Sequence, residues 1–173
     1  MTSCFLLWLP PEGSLPAINH ARELLVERGM GVLGAWALLN LLVSGYWVKH
    51  TDARSELHYL HQMNAAWNVV NALIAAWGLL QVSPNNVAHL TLAESQASQA
   101  RLEQILLVNI VLDAGYVLLG SWLRGRAPTA RRPERLLGFG RSLWLQGGFL
   151  FGFDAALYLL YHRYAGMLAA FAE

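Results

Sequence analysis

The sequence predicts an all-α fold: an integral membrane four-helix bundle with an N-terminal amphipathic segment. Three observations carry this. Charged residues make up only 13% of the 173-residue chain, hydrophobic residues make up 55%, and mean hydropathy is +0.36. Soluble domains carry about 25% charged residues, so a chain this poor in charge belongs in lipid. Four apolar stretches each run for about 20 residues, the length a helix rising 1.5 Å per residue needs to cross a hydrocarbon core of about 30 Å. All six prolines, at 10, 11, 16, 84, 128 and 133, fall outside those stretches, as expected of residues that interrupt helices.

The elements follow in chain order, within one domain covering residues 1–173. The run CFLLWL at 4–9 is short and has no basic residue before it, so it does not read as a signal peptide. Residues 1–16 read as a leader. Residues 17–28, AINHARELLVER, set Ile18, Leu24, Leu25 and Val26 among charged neighbours. They predict an amphipathic helix that lies on the membrane or leads into the first span, so that 1–28 form a leader and interfacial helix. The spans are expected at about 29–48, 60–81, 102–123 and 143–164. Tyr46, Trp47, Trp77, Trp122, Trp144, Tyr161 and Tyr164 sit near their ends, as interfacial aromatics do. The expected packing is a left-handed bundle with crossings of about 20°.

Orientation follows from the arginines. The loop at 124–141 holds Arg124, Arg126, Arg131, Arg132, Arg135 and Arg141 against one acid, Glu134, whereas 82–101 holds only Arg101. The positive-inside rule therefore puts 124–141 in the cytoplasm, with both termini and 82–101 outside. The same arginines suit an anionic lipid or a partner.

Each span carries a polar residue near its centre: Asn40 in the first, Asn68 and Asn71 in the second, Asp113 in the third and Asp154 in the fourth. The polar residues also share helix faces. His61, Asn64, Asn68 and Asn71 are spaced 3, 4 and 3. Asn109, Asp113, Tyr116 and Gly120 are spaced 4, 3 and 4, and Gln146, Asp154, Tyr158 and Tyr161 form a broader stripe. Leu33, Trp36, Ala37, Asn40, Ser44 and Trp47 share a face of the first span. Such stripes are narrow at 100° per residue. Lipid exposure would be costly, so they should face inward. Gly31, Gly34, Gly147, Gly148 and Gly152 are candidate points of close helix approach.

No Lys or Arg lies in the core of a span, so Asp113 and Asp154 lack an evident cation. An unpaired carboxylate at that depth costs several kcal/mol or more. Three resolutions stay open: protonation of either or both, one proton shared by the pair, or a cation between them with Asn oxygens as further ligands. Carboxylates and amides are hard donors suited to Na⁺, Mg²⁺, Ca²⁺ or Mn²⁺, which makes Asp113 and Asp154 the candidate metal ligands. His58 and His61 share a face with Glu56 nearby, but ligation needs three or four convergent donors. The polar core is thus Asn40, His61, Asn64, Asn68, Asn71, Asn109, Asp113, Tyr116, Gln146, Asp154 and Tyr158.

Three functions fit this core. It binds a proton, a cation or a small polar ligand; or it belongs to a structural or accessory subunit and only fixes helix packing; or it serves a membrane enzyme acting on lipid or quinone. The enzyme reading is the thinnest, because the sequence has no nucleophile elbow, no phosphate loop and only one cysteine, Cys4. Only His61 is deep enough to ligate a haem and no second inward His faces it, while quinone or lipid in the aromatic-rich interior stays open, so the cofactor is unknown from sequence. The net charge of +1 gives no case for nucleic acid. The partner is the lipid bilayer, and transport by four spans would call for a homo-oligomer or a larger membrane complex.

The strings LHQMNAAWNVVNALIAAWG (60–78), ILLVNIVLDAGYVLLG (105–120) and RRPERLLGFGRSLWLQGGFLFGFDAALYLLYHR (131–163) resemble an uncharacterised bacterial family of small multi-pass membrane proteins, a domain of unknown function. The resemblance covers most of 24–163 and implies four membrane helices in a bacterial inner membrane. It implies no activity. His61, Asn64, Asn68, Asn71, Asn109, Asp113, Gln146 and Asp154 fall within it.

Overall fold

The computed structural model describes residues 13–83, 87 and 89–171. Most of the expected leader, residues 1–12, lies outside the described residues. Four long helices account for nearly all of the rest: α1 (Leu15–His50), α2 (Glu56–Gln81), α3 (Leu92–Arg126) and α4 (Pro133–Ala169), with a 3₁₀ turn at Ala127–Thr129 between the last two. Each of the four is long and apolar enough to cross a membrane.

Local chemistry sets where the helices start. Pro16 lies in the first turn of α1, and Pro133 opens α4, positions where the missing N–H costs nothing. The Ser55 hydroxyl accepts the His58 N–H at 3.1 Å and caps α2. Thr91 and Glu94 form a capping box at α3: the Thr91 hydroxyl accepts the Glu94 N–H at 3.3 Å, and the Glu94 carboxylate accepts the Thr91 N–H at 2.9 Å. The Thr91 hydrogen bonds hold the Glu94 carboxyl below the usual carboxylate range. Basic residues close two of the corresponding ends, with Lys49 and His50 on α1 and Arg124 and Arg126 on α3, where they complement the helix dipole.

Three helices extend well past the expected spans. Hydropathy marks only the stretch that must meet lipid, whereas a capped helix runs on through polar sequence while its side chains still find partners. Residues 17–28 show this: they continue without a break into the first span as part of α1. Their Ile18 and Leu25 are buried with Leu106, Leu157, Tyr161, Tyr164 and Leu168. Of the two expectations for this segment, the structure gives the one that leads into the span.

α1 packs along α2 and α3 packs along α4, so the molecule consists of two antiparallel hairpins. α4 reaches across to α2 and, less extensively, to α1, which makes it the central helix and the most buried one. The α3–α4 contact is made backbone to backbone. A Cβ added to Gly120 would meet the Gly140 carbonyl oxygen at 2.7 Å, and one added to Gly140 would meet the Gly120 carbonyl oxygen at 2.7 Å. Gly147 approaches the Asp113 carbonyl in the same way, at 3.0 Å. Among the glycines expected at crossings, Gly147 serves that role and Gly34 makes only an ordinary contact with Ala75. Gly31, Gly148 and Gly152 face open space, because i, i+3/i+4 spacing does not say which face of a helix meets a neighbour.

The bundle is apolar outside and polar inside. Leu42, Leu80, Val111 and Leu118 are 70–80% exposed, while Asn64, Asn68 and Gln146 are 0–2% exposed. Water would penalise that outer surface and lipid does not.

Candidate functional site

The inward stripes do not meet in one place. They form two polar regions at different depths, with a third, unexpected one near the helix ends remote from the Arg-rich loop.

The first is an amide network centred on Gln146 of α4. Its side-chain oxygen accepts the Trp36 indole N–H at 3.1 Å and the Asn71 amide N–H at 3.3 Å. Its amide nitrogen donates to the Asn64 side-chain oxygen. Asn64 in turn donates to the Asn40 side-chain oxygen at 2.8 Å and to the Ser44 hydroxyl at 2.8 Å. Asn40 donates to the Trp36 carbonyl at 2.9 Å, and Asn68 donates to the Asn64 carbonyl at 2.7 Å. The His61 ring extends the chain to Ser44 at 3.2 Å. Phe149 stacks on Trp36, with ring centroids 3.8 Å apart, and fixes the indole that donates to Gln146. Asn40, His61, Asn64, Asn68, Asn71 and Gln146 therefore tie α1, α2 and α4 together in a connected network, as buried polar groups require.

The second region lies about 12 Å further along α4, eight residues at 1.5 Å each. Here Asp154 and Asp113 of α3 line one cavity, with Asn109 of α3 beside them. Asp113 is 3% exposed, yet among the described residues no donor reaches its Oδ2. The pair lines a cavity of about 220 Å³ that all four helices enclose. α4 forms its floor through Leu150, Phe153 and Leu157, and Met30 and Leu33 of α1 close one end. The rim is made by Val70 and Ile74 of α2 and Ile105 and Leu112 of α3, all 44–50% exposed on the lipid-facing surface. The cavity exists because α3 packs along α4 and not along α1 or α2. It opens sideways between α2 and α3.

Asn71 links the two regions: it bonds Gln146 and also lines the cavity. Tyr116 lines the cavity wall, edge-on to Trp67 at 4.8 Å between centroids. Tyr158 joins neither region. It stacks on His162, 5.4 Å away, and that histidine pairs with Glu103 at 2.9 Å. Among the described residues, no group of three His, Cys, Asp or Glu side chains converges as a metal site would need. His58 bonds Thr51 at 3.3 Å in the loop between α1 and α2.

The third region was missed from sequence. Arg22 of α1 is buried, and its guanidinium donates to the Tyr161 hydroxyl through Nε at 3.2 Å and a terminal nitrogen at 2.9 Å. Its other terminal nitrogen donates to the Asn19 side-chain oxygen at 3.0 Å and to the Ser95 carbonyl at 3.1 Å. Gln99 donates to the Tyr161 carbonyl at 2.9 Å. This clasp joins α1, α3 and α4. A signal for it was present: Ile18, Arg22, Leu25, Gly29, Leu33, Ala37, Asn40 and Ser44 form one unbroken stripe, all buried. It places Arg22 on the same inward face as Asn40.

No curated protein and no solved structure matches the chain. One family model, described as a family of unknown function (DUF6992), matches residues 32–155, which take in the whole amide network and the Asp113/Asp154 pair. With most of its length matched, the chain belongs to that family.

Proposed function

We propose that this is a multi-pass protein of the bacterial inner membrane that binds a proton, a cation or a small polar ligand at the Asp113/Asp154 pair. In this reading the Arg-rich loop at 124–141 is cytoplasmic and both termini are outside. One observation carries the reading: the carboxyl pair stands apart from the amide network and lines a cavity, with one buried oxygen that no donor among the described residues reaches. A seam built only for packing has no use for that oxygen, since an unsatisfied buried acceptor costs about 1–3 kcal/mol.

The second reading is a structural or accessory subunit whose polar core fixes helix register. The Gln146 network favours it, because its members bond one another across three helices. The two readings assign different residues, so they can be separated. Melting temperature is measured in lipid nanodiscs across pH and a panel of Na⁺, K⁺, Mg²⁺, Ca²⁺ and Mn²⁺, for the native chain and for Asp113→Asn and Asp154→Asn. A ligand that binds only the folded state raises the melting temperature by mass action. A response to one cation or to pH that both Asn variants abolish is expected. A flat response in the native chain, with both variants equally stable, would leave only the packing role.

A further inference from the structure

We infer that the ligand of this pocket is a single-chain lipophilic amine that enters neutral from the bilayer and takes up the proton held between Asp113 and Asp154. The inference rests on the reading above and specifies its ligand class.

The walls come first. Apart from the carboxyl pair, Asn71, Asn109, Tyr116 and Trp67, the cavity is lined by apolar side chains such as Met30, Leu106, Leu150 and Phe153. A hydrated or bare metal ion gains nothing there. Ca²⁺ asks for about six to eight oxygens and Mg²⁺ for octahedral geometry, whereas this cavity is lined by two carboxyls, two amides, one of which already donates to Gln146, and the Tyr116 phenol. An alkyl chain fits such walls, and its burial is favourable by about 0.8 kcal/mol per CH₂ relative to water. At about 220 Å³ the cavity is smaller than the roughly 300–1,000 Å³ of pockets that enclose drug-sized ligands. It takes a head group and the start of a chain, and the rest of the chain leaves through the rim of Val70, Ile74, Ile105 and Leu112 into lipid.

The head group follows from the acceptors. The pair presents carboxyl oxygens, one without a donor, and no cationic side chain lines the cavity among the described residues. The ligand must therefore bring N–H donors and accept positive charge. A phospholipid carrying an amine does not fit, because its phosphate would face two acids. The opening is on the apolar flank of the bundle, so the ligand arrives without charge. Inside, the amine lone pair takes the proton lying between the carboxyls. One N–H bond forms and one O–H bond breaks. A pair of net charge −1 beside a neutral amine becomes two carboxylates bracketing an ammonium, and the total stays −1. The ammonium then donates to both carboxylates in charge-assisted hydrogen bonds.

The test uses the full chain in phosphatidylcholine nanodiscs. Its melting temperature is followed against dodecylamine, 1-dodecanol and dodecyltrimethylammonium, three probes with one chain length. Dodecylamine is expected to give a saturable rise. Its apparent affinity should fall at least about tenfold in Asp113→Asn and Asp154→Asn. Ile105→Trp alters the half-exposed rim, leaves both carboxyls in place and should weaken the effect by blocking the mouth. A diazirine-bearing dodecylamine should label Ile74, Ile105 or Leu112. Equal shifts with dodecanol would overturn the inference and leave a pocket for chains of any head group. Equal shifts with the quaternary ammonium, which has no lone pair, would overturn the proton transfer. No shift with any of the three, with a pH or cation response still abolished by the Asn variants, would overturn the amine while the proposed function stands. No response to anything would remove both.

Discussion

Gln146→Leu is the substitution that best isolates the amide network. It keeps side-chain volume close to constant and removes three hydrogen bonds at once: those from Trp36 at 3.1 Å and from Asn71 at 3.3 Å, and the one to Asn64. Hydrogen bonds in membrane proteins average about 0.6 kcal/mol each, giving a floor of about 2 kcal/mol for three. The Trp36 N–H and the Asn64 side-chain oxygen lose the Gln146 partner each has in the network, and an orphaned buried group costs about 1–3 kcal/mol. Leucine recovers part of this by packing on Leu150 and Phe149. The expected loss is about 2–3 kcal/mol. Equilibrium unfolding in mixed micelles, titrated with sodium dodecyl sulfate, measures it. Leu145→Ala, one position along and 42% exposed to lipid, is the control and should cost far less. A cycle with Asn64→Leu should show coupling, because the two residues share a bond. A loss below about 0.5 kcal/mol for Gln146→Leu, or additivity in the cycle, would refute the claim that this network holds α1, α2 and α4 together.

Three further substitutions test the rest of the bundle. Gly140→Ala should destabilise by about 1–3 kcal/mol in the same unfolding assay, because its Cβ would press on the Gly120 carbonyl. Gly148→Ala, which points into open space on the same helix, should stabilise by about 0.5–1 kcal/mol through helix propensity alone. Arg22→Lys should lower the melting temperature although charge is kept, since an ammonium cannot reproduce the fork that reaches Tyr161, Asn19 and Ser95 together. An unchanged melting temperature would show that charge alone suffices there.

The helices and their inward faces were legible because lipid makes the pattern stringent. A misplaced Asn68 or Asp113 would sit in hydrocarbon, so the 3/4 spacing of polar residues marks the buried face directly. Which stripe meets which was not legible. Periodicity gives a face and says nothing about the neighbouring helix, so Gln146 read as a companion of Asp154 on one stripe. In the structure α4 turns Gln146 to α1 and α2 and turns Asp154 to α3. Tyr158 lies apart from both regions for the same reason: its stripe is broad, and its ring lies beside His162. Arg22 was overlooked because hydropathy set the start of the first span at residue 29 and assigned everything before it to the interface. The backbone continues through that boundary, and Tyr161 supplies the hydroxyl that lets a guanidinium stay buried.

The division of the polar seam is itself an argument about function. From Ser44 to Asn71 the bundle pairs amide with amide, and each pair can be charged to helix register. Beyond Asn71 the pattern changes. Two acids replace the amides, and a cavity replaces close packing, although α3 and α4 touch backbone to backbone at Gly120–Gly140 and again where Gly147 meets Asp113. The close crossing is what brings Asp113 onto Asp154, and the separation of α3 from α2 is what leaves the space beside them. Leucine or asparagine at both positions would fill or satisfy that space at lower cost than carboxyl groups, whose burial at this depth costs several kcal/mol each when ionised and unpaired. Packing alone therefore accounts for the amide half of the seam, and the acid half is what the proposed ligand, entering from lipid, would complete.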